Sequence, residues 1–258
     1  MGLEAGALGR LIAPLLAPPA PWALSLGLPL AAGILALLLR WVRPSAFFIG
    51  VPFGALVLRF GGLGGFLVLL GFFLLGTALT RLGYSSKEAK GVAEEAGGRR
   101  GGSHVLANCG VGFLILILRA VLDRDGTGGG EALLWAGYVG SFAAAASDTA
   151  SSEIGQLWGR RTISLRSFRE VPVGTEGAVS LEGLLAGLAA SAILGLLGLG
   201  LGLLSGIAFV AVTAGGFLGN FLESLAGTWG RRRLPHGWLN FVNSLVGAGA
   251  AALLLAIC

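Results

Sequence analysis

The chain has 258 residues, of which 55% are hydrophobic, 12% are charged and 46 are glycine, and its net charge is +5. A soluble domain is typically about 25% charged; a chain this poor in charge cannot cover itself with polar surface, so its solvent is largely lipid. The mean hydropathy of +0.84 agrees. The basic excess is divided among separate inter-helix segments, as membrane topology requires, which excludes nucleic-acid binding.

Residues 1–10 lack a charged segment leading directly into an apolar core, and Pro14, Pro18, Pro19 and Pro21 interrupt the next ten or so residues. No cleaved signal peptide is expected. Apolar runs long enough for a hydrocarbon core of about 30 Å lie at 21–39, 62–80, 105–121, 131–147, 178–198, 201–222 and 238–257. A shorter run at 44–58, with Pro44 and Pro52, reads as an eighth span, tilted or partly re-entrant. The pattern predicts an all-α, polytopic transmembrane helical bundle of about 7–8 spans in one membrane domain. Residues 1–80 form its N-terminal helices, and 81–258 carry the polar loops. The spans on either side of Gly200 form a tight hairpin. Glycine suits helices that approach closely, and no internal repeat of the kind transporters show is evident. Cys109 and Cys258 offer neither a disulfide framework nor metal-ligand spacing.

With eight spans, loops 81–103, 148–177 and 223–237 and the turn at 40–43 fall on one side. Fourteen of the eighteen Lys and Arg residues lie there, which places those loops in the cytoplasm. Three of the segments carry groups suited to chemistry. In Ser147-Asp-Thr-Ala-Ser-Ser-Glu153, acidic groups stand at the membrane boundary among small residues. Asp148 and Ser152 share a helix face, with Glu153 toward its edge. Paired carboxylates with hydroxyls suit Mg²⁺ holding substrate phosphates; the plainer reading is a pair of interfacial carboxylates matched by Arg160 and Arg161. Val173-Gly-Thr-Glu-Gly177 opens the next span, where Thr175, Glu176 and Gly177 either seat a phosphate at a helix N-terminus or merely cap that helix. Glu182 lies about a turn inside it and needs a partner. Asn220, Glu223 and Ser224 can converge within a helical turn. Arg231, Arg232 and Arg233 read mainly as a topological anchor. Asn240 and Asn243 are interhelical glue or ligands. Lys87, Arg99, Arg100, Ser103 and Asn108 suit anion contacts from a Gly-rich approach, whereas His104 reads as a structural donor. No Walker-type loop, protein-kinase motif set, zinc spacing or nucleophile elbow is present.

In this order, three segments resemble one family. Arg99-Arg-Gly-Gly-Ser-His-Val-Leu-Ala-Asn-Cys-Gly-Val111, Ser147-Asp-Thr-Ala-Ser-Ser-Glu-Ile-Gly155 and Val173-Gly-Thr-Glu-Gly-Ala-Val-Ser180 are similar to signatures of the integral-membrane phytyl-phosphate (prenyl-phosphate) kinases. The likeness runs from about Arg81 to the C-terminus. More distantly, Asp148, Gly174–Gly183 and Gly219-Asn-Phe-Leu-Glu-Ser224 are similar to elements of dolichol kinases and phosphatidate cytidylyltransferases. His104, Cys109 and Asn220 depart from the family patterns, which makes Glu223 a better second metal ligand than Asn220. The resemblance implies a kinase converting phytyl-, farnesyl- or geranylgeranyl-phosphate to the diphosphate, with CTP or another nucleoside triphosphate and Mg²⁺. Asp148, Glu153 and Glu223 would hold the metal. Lys87, Arg99, Arg100, Asn108, Thr175, Glu176, Gly177, Asn220, Ser224 and Asn243 would hold phosphates or nucleotide. The partners expected are thus an isoprenoid phosphate in the membrane, a nucleotide and possible further copies of the chain. A cytidylyltransferase making a CDP-activated lipid uses similar parts, and an ion-coupled transporter would use Asp148 and Glu182 as a relay.

Overall fold

Backbone in lipid must satisfy its own hydrogen bonds, and the apolar runs accordingly become helices. The computed structural model describes residues 19–124, 130–228 and 237–258. Besides a single turn at Glu95–Gly98, its helices are α1 (Trp22–Leu38), α2 (Pro44–Arg81), the short α3 (Tyr84–Ala89), α4 (Gly102–Arg124), α5 (Glu131–Trp158), α6 (Leu181–Gly200), α7 (Gly206–Gly227) and α8 (Trp238–Ala256). Pro44 stands at the start of α2, where its missing N–H costs nothing. Ser180 and Ser205 cap α6 and α7, accepting from the Gly183 and Ala208 N–H groups at 3.1 and 3.2 Å. The α6–α7 pair is the hairpin expected around Gly200, turning through Gly202 at φ +73°. Among the described helices, α2, α4, α6, α7 and α8 are long and apolar enough to cross a bilayer by themselves, and α1 is shorter.

At 38 residues, α2 as a straight rod would reach about 57 Å. It is not straight. Gly62 has φ 62° and ψ −171°, a region open essentially to glycine alone. Both ends of α2 return to Arg100: the Arg43 N–H donates to its carbonyl at 2.9 Å, and its guanidinium donates to Thr80 Oγ1 at 3.2 Å. Residues 44–61 and 63–81 are therefore antiparallel arms, each roughly 27 Å long. The run at 44–58 is a continuous helical arm, with Pro29 of α1 packed on its Gly54. Gly62→Ala should cost about 1–3 kcal/mol and lower the thermal unfolding midpoint in detergent. Gly249→Ala, with open space at the new methyl, should not. Equal midpoints for the two variants would mean that the break does not need glycine.

Helix α5 is the axis of the bundle. It contacts α2, α4, α6, α7 and α8, and every residue from Trp135 to Ser147 is buried. Small side chains make this crowding possible: a methyl at Gly140 would stand 2.7 Å from Ala251 Cβ, and one at Gly215 2.5 Å from the Ala251 nitrogen. The polar segments gather at one end of the bundle. Arg81 donates to the Arg40 carbonyl at 3.0 Å, Lys90 to the Gln156 carbonyl at 2.9 Å, and Gly177 abuts Ser224 and Thr228. Arg59, Arg119 and Glu131 mark the opposite end, where Arg119 donates to Glu131 at 2.8 Å and to the Phe60 carbonyl at 3.3 Å.

One expectation about α6 is corrected. Residues 178–179 are not helical: they form strand β2 (Ala178–Val179), antiparallel to β1 (Ile163–Ser164), with Ile163 opposite Val179. The chain stays extended as far as the cap at Ser180, so Glu182 falls in the first turn of α6. It faces Arg160, whose backbone N–H donates to it at 3.4 Å.

Candidate functional site

The faces of α5 explain how its polar end is used. Residues four apart lie roughly 40° from each other around a helix, and residues five apart about 140°. Asp148, Ser151, Ser152 and Gly155 accordingly line one cleft, and Thr149 and Glu153 turn toward the segment 76–100. The cleft holds about 170 Å³. Its far wall is the loop Val173–Gly177 with the start of α6, and its third side is Glu223, Ser224 and Gly227 at the end of α7. Asp148, Glu176 and Glu223 thus border one opening with hydroxyls and glycine backbone between them.

The loop is held by its own geometry. Thr175 donates its hydroxyl to the Pro172 carbonyl at 2.6 Å. Gly177 adopts φ +67° against the end of α7, where a methyl would stand 2.5 Å from the Thr228 nitrogen. Only glycine fits that position, so its role in shaping the cleft is steric. Beneath, Asn220 donates to Ser147 and Ser151 at 3.1 and 2.7 Å. Asn243 donates to the Ala144 carbonyl, one turn below Asp148, at 3.1 Å. Both asparagines are about 1% exposed, and their amide oxygens have no hydrogen-bond partner among the described residues. Two buried acceptors left open in the packing below the cleft are costly.

Glu153 lies apart from this cleft. Its carboxylate takes the ammonium of Lys87 at 2.5 Å, and Lys87 also donates to the Leu79 and Thr80 carbonyls at 3.2 and 2.8 Å. All three ammonium donors are occupied, and both side chains are buried. The expected trio Asp148, Glu153 and Glu223 is therefore not assembled. Among the described residues no three of His, Cys, Asp and Glu gather closely enough to hold a metal ion. The additional carboxylate on the cleft is Glu176, which sequence reasoning assigned to a phosphate seat.

On the other side of α5, Arg100 is fixed through its backbone, its N–H donating to the Trp41 carbonyl at 3.2 Å. Its guanidinium lies over Gly76, where a methyl would meet Arg100 Nη2 at 3.2 Å and Thr149 Cγ2 at 3.9 Å. Arg100 thus stands one thin layer from the Asp148–Thr149 turn. Arg99 points outward and donates to the Ala96 carbonyl at 3.0 Å. Asn108, buried, donates to the His104 carbonyl at 3.0 Å and accepts from Asn240 at 3.5 Å. His104 accepts from the Gly101 N–H at 3.3 Å and pairs with Glu94 at 3.1 Å. Arg231, Arg232, Arg233 and His236 lie outside the described residues.

The family model described as "Integral membrane protein DUF92" matches residues 27–236. The chain is 38% identical over 220 residues to an uncharacterized membrane protein of Synechocystis sp., covering 83% of this chain and 81% of that one. It is 38% identical over 187 residues to Protein VTE6, chloroplastic, of Arabidopsis thaliana, covering 72% of this chain and 56% of the relative. Protein PGR of the same plant is 31% identical over 210 residues, 73% of this chain and 69% of the other. No solved structure matches the chain.

Proposed function

Because this chain belongs to the family "Integral membrane protein DUF92", with its polar residues gathered at one end of a helical bundle, we propose that it is a membrane-embedded kinase acting on a prenyl monophosphate. A phosphate oxygen of the phytyl-, farnesyl- or geranylgeranyl-phosphate attacks the terminal phosphorus of CTP or another nucleoside triphosphate. The bond to the bridging oxygen breaks, and prenyl diphosphate and nucleoside diphosphate leave. The acceptor is already ionised, so positioning and charge neutralisation suffice. That fits a site without a dedicated nucleophile.

The observation that carries this reading is the convergence on one helical turn. Asp148 with Glu176 and Glu223 borders a Gly- and hydroxyl-rich cleft, and Arg100 lies just across Thr149. The all-oxygen donor set fits Mg²⁺, which takes one or two carboxylates plus phosphate oxygens. Asp148 and Glu223 would hold it, and it would supply neutralisation of the charge building between the two phosphates. Glu153 and Lys87 support the site by locking α3 to the end of α5. Ser224, Thr175 and the Gly177 backbone flank the donor's phosphates, and Asn220 supports the cleft indirectly by holding Ser151. The motif resemblance from Arg99 to Ser180 supports the same assignment. We place eight crossings in the bilayer, counting the two arms of α2 separately, with the polar end in the cytoplasm on the strength of its fourteen Lys and Arg residues.

The test is product analysis. Purified protein, Mg²⁺, a panel of nucleoside triphosphates and the three prenyl monophosphates should yield prenyl diphosphate with stoichiometric nucleoside diphosphate. Release of pyrophosphate without prenyl diphosphate would identify a cytidylyltransferase instead. Solute flux into liposomes with no nucleotide turnover would identify a transporter.

A further inference from the structure

A second cavity, of about 380 Å³, lies among α1, both arms of α2 and α4. Its walls are apolar over nearly their whole extent, including Phe66 and Phe72, and it is polar at one end only, where Arg100, His104 and Asn108 stand. Arg43 is outside the lining but donates its backbone N–H to the Arg100 carbonyl at 2.9 Å, and its Nε is buried without a hydrogen-bond partner. Among the described residues neither Arg43 nor Arg100 has a carboxylate counter-ion. Guanidinium groups half-buried beside an apolar chamber and lacking an anion are costly. Their charge calls for an anion, and the chamber behind calls for an apolar chain attached to it.

We infer that this cavity is the seat of the acceptor's isoprenoid chain, with its phosphate held by Arg100 and Arg43 and the wall at Gly50 limiting chain length. This deepens the kinase reading and rests on it for the identity of the lipid. The assignment gives a role to the N-terminal helices, which the motif resemblance does not reach. It also accounts for the placement of Arg100, one layer from the Asp148–Thr149 turn on its Thr149 flank. The two substrates then approach one helical turn from its adjoining Asp148 and Thr149 flanks, about 100° apart around α5.

Gly50 supplies a clean probe. A methyl there meets nothing closer than Val105 Cγ2 at 3.9 Å, whereas methyls at Gly33 and Gly54 would press on Val51 at 2.6 Å and Pro29 at 3.1 Å. The first atom of a side chain at Gly50 is thus accommodated and Gly50 lines the cavity, so the ring of Gly50→Phe is expected to occupy it, and helix propensity favours Phe over Gly.

The full chain in nanodiscs would be labelled with farnesyl monophosphate bearing a photoreactive diazirine at the far end of its chain. Labels are expected on the cavity walls of α1 and α2. Farnesol should compete about tenfold or more weakly than farnesyl monophosphate, a gap that Arg100→Gln removes. Gly50→Phe should weaken geranylgeranyl monophosphate about tenfold or more while geranyl monophosphate stays within about threefold, and Gly50→Ala should change neither by as much. Labels confined to other helices, equal competition by farnesol in the unaltered protein, or a loss independent of chain length would each overturn the seat. Labelling as expected with no nucleotide turnover would sink the kinase reading and leave the seat standing. Turnover with labels elsewhere would do the reverse.

Discussion

Asp148→Asn is expected to lower turnover of prenyl monophosphate by about three orders of magnitude, with the thermal unfolding midpoint shifted by no more than a few degrees. The substitution keeps the size and hydrogen-bonding reach of the side chain and removes only its charge. Asp148 sits where α5 leaves its buried stretch, half-exposed on the cleft it shares with Glu176 and Glu223. A protein whose chemistry consists of bringing two anionic phosphates together loses most when the group that would anchor a neutralising cation becomes neutral. Glu223→Gln should fall in the same range, and the double variant should be little worse than either single one, because the two carboxylates serve one cation. The measurement is kcat with saturating nucleotide and Mg²⁺. If Asp148→Asn turns over like the unaltered protein, the cleft is not the site of reaction.

Glu153→Gln and Lys87→Met should behave in the opposite way. Each removes one partner of an ion pair whose members are buried, leaving an uncompensated charge, which costs about 3–5 kcal/mol. The expected result is a large fall in the unfolding midpoint and in yield, with kcat per folded molecule much less affected. The double variant Lys87→Met/Glu153→Leu should recover most of the lost stability, since the pair then departs together. Loss of kcat at unchanged stability in Glu153→Gln would instead make Glu153 a metal ligand, and the site would have to be redrawn around the α3 side of α5.

Most of the membrane architecture is legible in the residue pattern, since lipid leaves an apolar helix few alternatives. The boundary between the runs at 44–58 and 62–80 is visible as well, because Arg59 interrupts them. The eight-span reading places a reversal between the two runs, but that it falls at Gly62 is not visible. Gly61, Gly62, Gly64 and Gly65 look alike in sequence, and only the return of both arms to Arg100 selects the one with positive φ. The chemistry divides similarly. Asp148 and Ser152 share the cleft as their helical spacing suggests, and Glu223 borders it from α7, a meeting that only the family resemblance implies in advance. Glu153 does not, because five residues carry it around the helix to Lys87, a partner 66 positions away that local spacing cannot reveal. The sequence points to Thr175 as a cap for α6. The pairing of Ile163–Ser164 with Ala178–Val179 decides for Ser180 by keeping the chain extended up to it.

Helix α5 is 28 residues long, yet it is absent from the described helices apolar enough to cross a bilayer unaided. Surrounded by five long helices over its buried stretch, it need not satisfy lipid there, and this is what permits Ser141, Ser147 and Asp148 on a bilayer-length helix. The same shielding has a consequence for biogenesis. A segment that cannot partition on its own must be received by helices already in place, and three of its partners, α6, α7 and α8, are synthesised after it. Its membrane insertion is therefore tied to completion of the C-terminal half, and truncation within α7 or α8 should release α5 from the bilayer.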